Sequence, residues 1–303
     1  MNRCRFVGLL ALLAVVVSAN NAAPAQTALP ALREDAIKLD QPSNAERLKA
    51  LTALLREREL KFEAFPFPNA RQDRDAREQG QNLVMTLGAG ARTIIVGAHF
   101  DAARLPDGQM SHAMVDNAAS VSVLIHAARA LRQEILKHRV QIVFFDMEEI
   151  GLVGSKHFAA TLEAARIAAM VNLDIAGYGN TLAFGPSAQA VSREVYAAMW
   201  QVCAQQDFAC VEFPQFPPSD DRNFQAAKIP NISLAVLPRI EAHQLWLRFN
   251  GGAESGLREG FAPATARLIH TKEDTAEKLD AAGMTLAYQA VLQLVRQLDA
   301  KLP

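Results

Sequence analysis

The sequence predicts an α/β fold with a mixed, mainly parallel central sheet and helices on both faces. Continuous apolar segments of strand length, such as Ile142-Val143-Phe144-Phe145, are typical of strands that are buried on both faces. Such segments alternate along the chain with stretches whose apolar residues recur at helical spacing. With 303 residues, of which 50% are hydrophobic, the chain is long enough to bury a large core.

The first regular element is predicted to begin at Ser43. Ser43-Asn44-Ala45-Glu46 has the pattern of a helix capping box. Apolar residues follow it at helical spacing: Leu48, Leu51, Leu54 and Leu55. A strand is predicted over 60–67, and two more, over 82–87 and 93–98, flank Gly88-Ala89-Gly90-Ala91. Because this is a turn sequence of the kind that joins antiparallel strands, these two strands are expected to be neighbours.

Strands and helices then alternate to the end of the chain. The predicted order is helix 120–132, strand 140–145, helix 156–165, strand 169–173, helix 193–204, strand 232–237 and helix 281–298. Residues 239–268, with four glycines, are predicted to form a long irregular loop over the functional site. No repeat or linker divides the chain, so we expect one domain over 43–303, preceded by a lead-in over 26–42 without regular structure.

Residues 1–25 have the features of a secretory signal peptide. Arg3 and Arg5 precede the apolar run 6–17, and Ala23-Pro24-Ala25 offers a cleavage site before Gln26. The expected location is therefore periplasmic or secreted, with no membrane attachment after cleavage. An uncleaved N-terminal anchor is the alternative. No other segment approaches the roughly 20 apolar residues that a membrane helix needs.

The charge of the chain bears on nucleic-acid binding, and its cysteines bear on disulfide formation. Cleavage would leave 29 basic and 32 acidic residues, and the absence of a basic patch argues against nucleic-acid binding. Cys203 and Cys210 are separated by six residues, a spacing that permits a disulfide in an oxidising compartment. Two reduced, buried thiols are the alternative.

Five potential metal ligands follow predicted strands or lie in loops: His99, Asp116, Glu149, Asp174 and His270. His99, Glu149 and Asp174 fall just past the carboxyl ends of strands, where open α/β sheets place their ligand crevice. One bridging carboxylate, together with one carboxylate and one imidazole for each ion, gives each metal three protein ligands. This number is typical of catalytic rather than structural sites. The pattern predicts a two-metal hydrolase.

Each of these residues has an ordinary structural explanation when it is taken alone. Asp116, just before a predicted helix, would more often be an N-terminal cap, and Glu148-Glu149 would more often be a solvated pair. The order in which all five reach one edge of the predicted sheet favours the metal site.

The adjacent glutamates predict a division of roles. One carboxylate holds metal, while the other takes a proton from the attacking water and delivers it to the leaving amine. Asp101, two residues after His99, is placed to accept the second imidazole N–H and so to orient the ligand.

Five segments resemble the successive motifs of the bacterial leucyl aminopeptidase type of co-catalytic zinc exopeptidases. They are Gly97-Ala98-His99-Phe100-Asp101, Asp116-Asn117, Glu148-Glu149-Ile150-Gly151-Leu152-Val153-Gly154-Ser155, Asn172-Leu173-Asp174, and the segment 270–280, which begins His270-Thr271-Lys272-Glu273-Asp274-Thr275. The resemblance covers roughly residues 43–300 and is specific, because order, spacing and flanking residues agree.

The resemblance implies a role for each of these residues. His99 and Asp174 would hold one zinc ion, Glu149 and His270 the other, and Asp116 would bridge them. Glu148 would be the general base, and Asp101 would orient His99. The implied protein is an aminopeptidase with two zinc ions, for which cobalt can substitute, acting on peptides. The signal-peptide features of residues 1–25 add the expectation of export.

Two segments depart from the family pattern. Ala119 and Ser120 stand where the family usually has Ser-Gly after the bridging motif, and Ser219-Asp220-Asp221 replaces a frequent Ser-Asp-His. The second change affects the expected substrate side of the site, where Ser219-Asp220-Asp221 and the segment 239–268 are the predicted wall. The other histidines are given no functional role, although the positions of His112 and His243 are compatible with lining the cleft.

Other functions remain open from the sequence. The same metal core suits a carboxypeptidase or a dipeptidase, because specificity depends on the pocket. A non-catalytic binding module is disfavoured because every candidate ligand and the base are present. A single-zinc glutaminyl cyclase has a related fold, but the intact Glu148-Glu149-Ile150-Gly151-Leu152 stretch resembles the hydrolases.

Overall fold

Eight strands form one mixed sheet in residues 29–303, which are the residues that a computed structural model of the chain describes. The strands are β1 (Glu63–Pro68), β2 (Gln79–Leu87), β3 (Thr93–His99), β4 (Arg139–Phe145), β5 (Ile167–Leu173), β6 (Thr181–Gly185), β7 (Cys210–Glu212) and β8 (Asn231–Leu237). Their spatial order is β1-β2-β4-β3-β5-β8-β6-β7. The central strands β4, β3, β5 and β8 are parallel, and β1, β2 and β6 each pair antiparallel with a neighbour. The predicted fold class is confirmed.

Helices cover both faces of this sheet. They are α1 (Leu29–Ile37), α2 (Asn44–Glu57), α3 (Ala119–Leu131), α4 (Val153–Ala159), α5 (Arg193–Gln206), α6 (Asp221–Ala226), α7 (Arg239–Asn250), α8 (Ala264–Leu268) and α9 (Ala281–Lys301). The core on one face includes residues of α1, α2, α3, α5 and α9, and the core on the other includes residues of α4 and α6. Within residues 29–303, no helix combines the length and apolar character needed to cross a membrane.

Alternate residues of the central strands belong to opposite cores. In β3, Ile94 and Val96 pack on one face, and Ile95 packs on the other. In β4, Phe144 and Phe145 divide in the same way. Because both faces are covered, these strands are mainly apolar and lack a regular alternation of apolar and polar residues. Their parallel direction brings their carboxyl ends to one edge of the sheet.

The expected pairing of β2 with β3 is wrong, because β4 lies between them. Ile142 of β4 is opposite Met85 of β2 on one side and opposite Val96 of β3 on the other. The connection passes close to the residues that enter β4: a Cβ atom on Gly90 would lie 2.6 Å from the Cα of His138. The glycines therefore permit a close crossing and not a hairpin.

The expectation that residues 26–42 lack regular structure is also wrong, because α1 lies within them. Leu32 and Ala36 are buried in the main core, and Ser122 of α3 donates a hydrogen bond to the carbonyl of Leu32 (2.7 Å). A helix of nine residues has too few turns to show a clear apolar period in the sequence.

The predicted loop over 239–268 instead contains α7 and α8. Ala242 is the buried residue of α7, so this helix presents almost no apolar stripe from which it could have been recognised. Between the two helices the chain is largely irregular and includes Gly251, Gly252, Gly256 and Gly260.

The structure tests the expectation about the cysteines but not the one about the N-terminus. The predicted signal peptide, residues 1–25, lies outside the described residues. Cys203 and Cys210 form a disulfide, which joins α5 to the start of β7.

Helix α1 is fastened by a buried carboxylate. Asp35 accepts hydrogen bonds from Nε2 of His126 (3.0 Å) and Nε of Arg58 (2.9 Å). Burial by itself would raise the pKa of Asp35, but these two hydrogen bonds lower it to about 2. Asp35 therefore connects α1 to α3 and to the end of α2 through charged hydrogen bonds.

We expect Asp35→Asn to lower the free energy of unfolding at pH 7 by about 2 kcal/mol. The folded-state pKa, about 2, is below the ordinary value of 3.8, so Asp35 stabilises the protein above about pH 4. This contribution fades as the pH falls from about 4 to about 2. Urea denaturation of both proteins at pH 7 and at low pH measures it.

Glu163→Gln is the matched control, because it removes the exposed partner of Arg166 (2.8 Å) and should change stability by less than about 1 kcal/mol. A constant difference between wild type and Asp35→Asn across the pH range would contradict the assignment.

Candidate metal centre

The structure brings together all five candidate metal ligands. His99 is the last residue of β3, Glu149 and Asp174 follow β4 and β5, Asp116 precedes α3, and His270 follows α8. Three of these positions are at the carboxyl ends of adjacent parallel strands, where the sequence analysis expected them.

Asp116 lies between two imidazoles. Its Oδ1 is 3.1 Å from Nε2 of His99, and its Oδ2 is 3.1 Å from Nε2 of His270. The His99 nitrogen is also 3.5 Å from Oδ1 of Asp174, and the His270 nitrogen is 2.9 Å from Oε2 of Glu149. The five side chains thus form two groups of three that share one carboxylate, as the motifs implied.

The donor atoms of these groups fit metal ions. In each group, one atom from each residue lies within 4.8 Å of the others. Oδ1 of Asp174 and Oε1 of Glu149 are buried and have no hydrogen-bond partner among the described residues. Since an unpaired buried carboxylate oxygen is costly, these atoms indicate a bound cation. Carboxylate and imidazole ligands with open positions suit zinc.

The site is electrostatically negative. Hydrogen bonds to Asp116 and Glu149 raise the pKa of His270 to about 11. Burial alone would lower the pKa of His99, but nearby carboxylates, Glu148 foremost, raise it well above its ordinary value. Burial, with the charge of Asp116, raises the pKa of Glu149 to about 7. Protons and metal ions therefore compete for these side chains, and metal affinity should fall as the pH is lowered.

Glu148 and Glu149 both lie near His99, and donor atoms of these three residues are within 4.8 Å of one another. Glu149 also contacts His270, which favours it as the ligand. Burial raises the pKa of Glu148 well above its ordinary value, with the carboxyls of Asp220 and Asp174 adding to the effect. A carboxyl group with a raised pKa suits proton transfer.

Asp101 supports both the imidazole and the glutamates. Nδ1 of His99 is 3.2 Å from the backbone oxygen of Asp101 and 3.5 Å from its Oδ1. The same carboxylate accepts hydrogen bonds from the backbone N–H groups of Glu148 (3.0 Å) and Glu149 (3.1 Å). Asp101 was predicted to accept the imidazole N–H, and its backbone oxygen is the nearer acceptor. Its carboxylate fixes the loop that carries the glutamates, which the sequence did not predict.

Asp274 holds the segment that carries Asp116. Its carboxylate accepts hydrogen bonds from the backbone N–H groups of Val115 (2.7 Å) and Asp116 (3.1 Å). Sequence reasoning gave Asp274 no role, although it belongs to the motif that begins at His270. The motif therefore carries a ligand of one group and the support of the shared carboxylate.

Asn117 performs a similar task for Asp174. Its Nδ2 donates to the carbonyl of Leu173 (3.0 Å), and its Oδ1 accepts from the N–H of Ile175 (3.1 Å). These bonds bracket Asp174 on both sides, so the residue after the shared carboxylate also positions a ligand.

Left-handed backbone conformations are concentrated around the site. Positive φ angles occur at Ala113 (51°), Met147 (62°), Ile175 (68°) and His270 (57°). Non-glycine residues rarely adopt this region, and such strain is often found at functional sites. Here it occurs at His270 itself or within three residues of another candidate ligand.

An apolar cavity of about 200 Å³ adjoins Asp174. Its lining residues include Ile175, Phe216, Ala235, Leu245, Phe249 and Ile269. Ser219 and α7 contribute to its wall, in agreement with the prediction for these segments. Asp220 and Asp221 are instead fully buried and do not line the cavity, and burial raises the pKa of each to about 7.

Neither histidine proposed for the cleft lines this cavity. His112 pairs with Asp40 at the surface (2.9 Å), and His243 lies on an exposed position of α7.

The fold and these grouped side chains place the protein among the zinc-dependent exopeptidases. The model of peptidase family M28 matches residues 82–295, which is most of the chain and includes all five candidate ligands. The chain therefore belongs to peptidase family M28, and the family resemblance of its motifs is confirmed.

One curated protein resembles part of the chain in sequence. The uncharacterized protein YfbL of Escherichia coli K12 is 32% identical over 136 residues, which are 43% of this chain and 42% of that protein. The match thus spans less than half of this curated relative.

Two solved structures share the fold. A zinc aminopeptidase from Bacillus subtilis has 21% identity, with 72% of this chain and 50% of that chain covered and a TM-score of 0.56. A glutaminyl cyclase from Porphyromonas gingivalis has 18% identity, with 92% and 98% covered and a TM-score of 0.69. Identities this low show the common fold alone.

The two glutamates should respond differently to loss of charge. Glu148→Gln keeps the shape of the side chain but removes proton transfer, so we expect bound metal to be retained and turnover to fall by at least about 100-fold. Glu149→Gln should instead weaken metal binding. Metal content after dialysis, measured with turnover, tests both; the opposite behaviour would reverse the roles of base and ligand.

Proposed function

We propose that the protein is an aminopeptidase that removes apolar residues from the N-termini of peptides, using two zinc ions that cobalt can replace. The proposal rests on the zinc peptidase family, on the two ligand groups that share Asp116, and on the position of the apolar cavity. Only the cavity bears on the choice among exopeptidases.

The cavity beside Asp174 is the observation that carries the proposal. A cavity of about 150 Å³ in another protein accepts benzene, so 200 Å³ suits one aromatic or branched side chain. Two carboxylates line the cavity, those of Asp174 and Glu241, and they would attract the free ammonium group of a peptide N-terminus and repel a C-terminal carboxylate.

Bound zinc would supply a Lewis acid that polarises the scissile carbonyl and lowers the pKa of water. Glu148 would accept the proton of the attacking water and deliver it to the leaving amine. Asp101 keeps the backbone of Glu148 in place, and Asp274 does so for Asp116. The walls of the cavity would fix the side chain of the first residue and so align the first peptide bond with Glu148.

Three other activities have a specific observation in their favour. Arg248 lines the cavity and could bind a substrate carboxylate, as a carboxypeptidase or a dipeptidase requires. The glutaminyl cyclase covers a larger share of the chain than the aminopeptidase does. Apolar walls offer few partners for a glutamine amide, which argues against a cyclase.

Peptides with free and acetylated N-termini distinguish these activities. Mass spectrometry should show loss of the first residue from free pentapeptides that begin with Leu or Phe. Ala at this position should react at least about tenfold more slowly, because it buries less apolar surface. The acetylated forms should remain intact.

Each other activity gives a different product. Loss of C-terminal residues from both forms would identify a carboxypeptidase, and loss of ammonia from a peptide that begins with Gln would identify a cyclase. Cleavage of dipeptides but not of pentapeptides would identify a dipeptidase.

We propose in addition that the protein is exported to the periplasm or secreted. The charged and apolar pattern of residues 1–25 supports this, and so does the Cys203–Cys210 disulfide, since disulfides persist in oxidising compartments. N-terminal sequencing of the protein from a periplasmic or culture fraction should begin at Gln26. A cytosolic protein that retains Met1 would contradict the proposal.

A further inference from the structure

Arg47 is a buried cation that binds the backbone of segments carrying candidate metal ligands. The side chain comes from α2 and is 1% exposed, which is rare for arginine. Among residues 29–303, no carboxylate oxygen lies within 4.0 Å of its guanidinium nitrogens. A buried charge without an ion-pair partner destabilises the folded protein, so the presence of Arg47 in the interior calls for an explanation.

The guanidinium group donates hydrogen bonds to backbone carbonyls of three separate segments. Nε donates to Phe100, Nη1 to Leu39 (2.7 Å) and His112 (3.1 Å), and Nη2 to Ala113 (2.8 Å). The planar guanidinium presents its N–H groups in fixed directions. One side chain therefore fixes the relative positions of all three segments.

Two of these segments carry ligands. Phe100 directly follows His99, and Ala113 is three residues before Asp116. The segment 112–116 is thus held from both sides, because Arg47 binds its carbonyls and Asp274 binds its N–H groups. The distance between His99 and Asp116, 3.1 Å, depends on where these two backbones are held.

The positive charge of Arg47 also affects the electrostatics of the candidate metal centre. Burial lowers its pKa, to about 10, while the carboxylates of Asp101 and Asp274 act in the opposite direction. The group therefore stays charged at neutral pH and offsets part of the negative charge of the site.

We propose that Arg47 is a positioning residue for the metal centre, which sets the spacing of His99 and Asp116 and thereby the affinity for the ion that they share. This inference rests on the proposed two-metal site. It goes beyond that site in assigning part of its metal affinity to a residue of α2 whose hydrogen bonds go to backbone carbonyls and not to the ligand side chains.

The test compares Arg47 with Arg58, which lies at the end of the same helix and pairs with Asp35. Cobalt is titrated into apo wild type, Arg47→Lys, Arg47→Met and Arg58→Met, with the visible spectrum and the unfolding temperature recorded for each. Arg47→Lys keeps the charge but loses the planar set of donors, and it decides the question alone if Arg47→Met does not fold.

We expect wild type to bind two cobalt ions. In both Arg47 variants, one binding constant should fall by about 10-fold to 100-fold, with a changed cobalt spectrum. Arg58→Met should unfold at a lower temperature but bind cobalt with wild-type constants and spectrum.

Three results would overturn the proposal. Wild-type constants and spectrum in Arg47→Lys would show that Arg47 does not position the ligands. Equal loss of cobalt affinity in Arg58→Met would show a general effect of instability. A wild-type protein that binds no cobalt would remove the metal centre itself, which is a distinct outcome.

Discussion

The concentration of buried carboxylates at one edge of the sheet is the constraint on which the rest of the structure depends. Asp116 is shared by His99 and His270, and Asp174 and Glu149 complete the two groups. Like charges held this close repel each other and lose hydration, so the arrangement is favourable only when cations balance it. The capacity to hold metal ions and the raised pKa values of the histidines both have this cause.

Backbone hydrogen bonds hold these side chains in place. Asp101 binds the N–H groups of Glu148 and Glu149, and Asp274 binds those of Val115 and Asp116. Arg47 binds the carbonyl next to His99 and one that is three residues before Asp116. A charged side chain that binds a neighbouring backbone fixes a ligand without competing for the metal. The site is therefore built from ligands on strand ends and from charged groups that hold their loops.

The errors in the predicted fold have two physical reasons. Gly88-Ala89-Gly90-Ala91 indicates a close chain reversal, but β4, which comes about 50 residues later, takes the place between β2 and β3. Local sequence reports backbone conformation, whereas strand order depends on contacts between distant segments. The helices α1 and α7 were missed because a helix that is short or little buried has a weak apolar period.

The sequence by itself determined the fold class, the main strands and helices, and the set of side chains that meet at the site. It did so because the period of apolar residues and the residue types at strand ends are local properties. Only the tertiary structure decided the strand order, the cavity beside Asp174 and the tasks of Asp274 and Arg47. Arg47 lies 69 residues before Asp116, and no local pattern marks a side chain whose partners are carbonyl groups of distant loops.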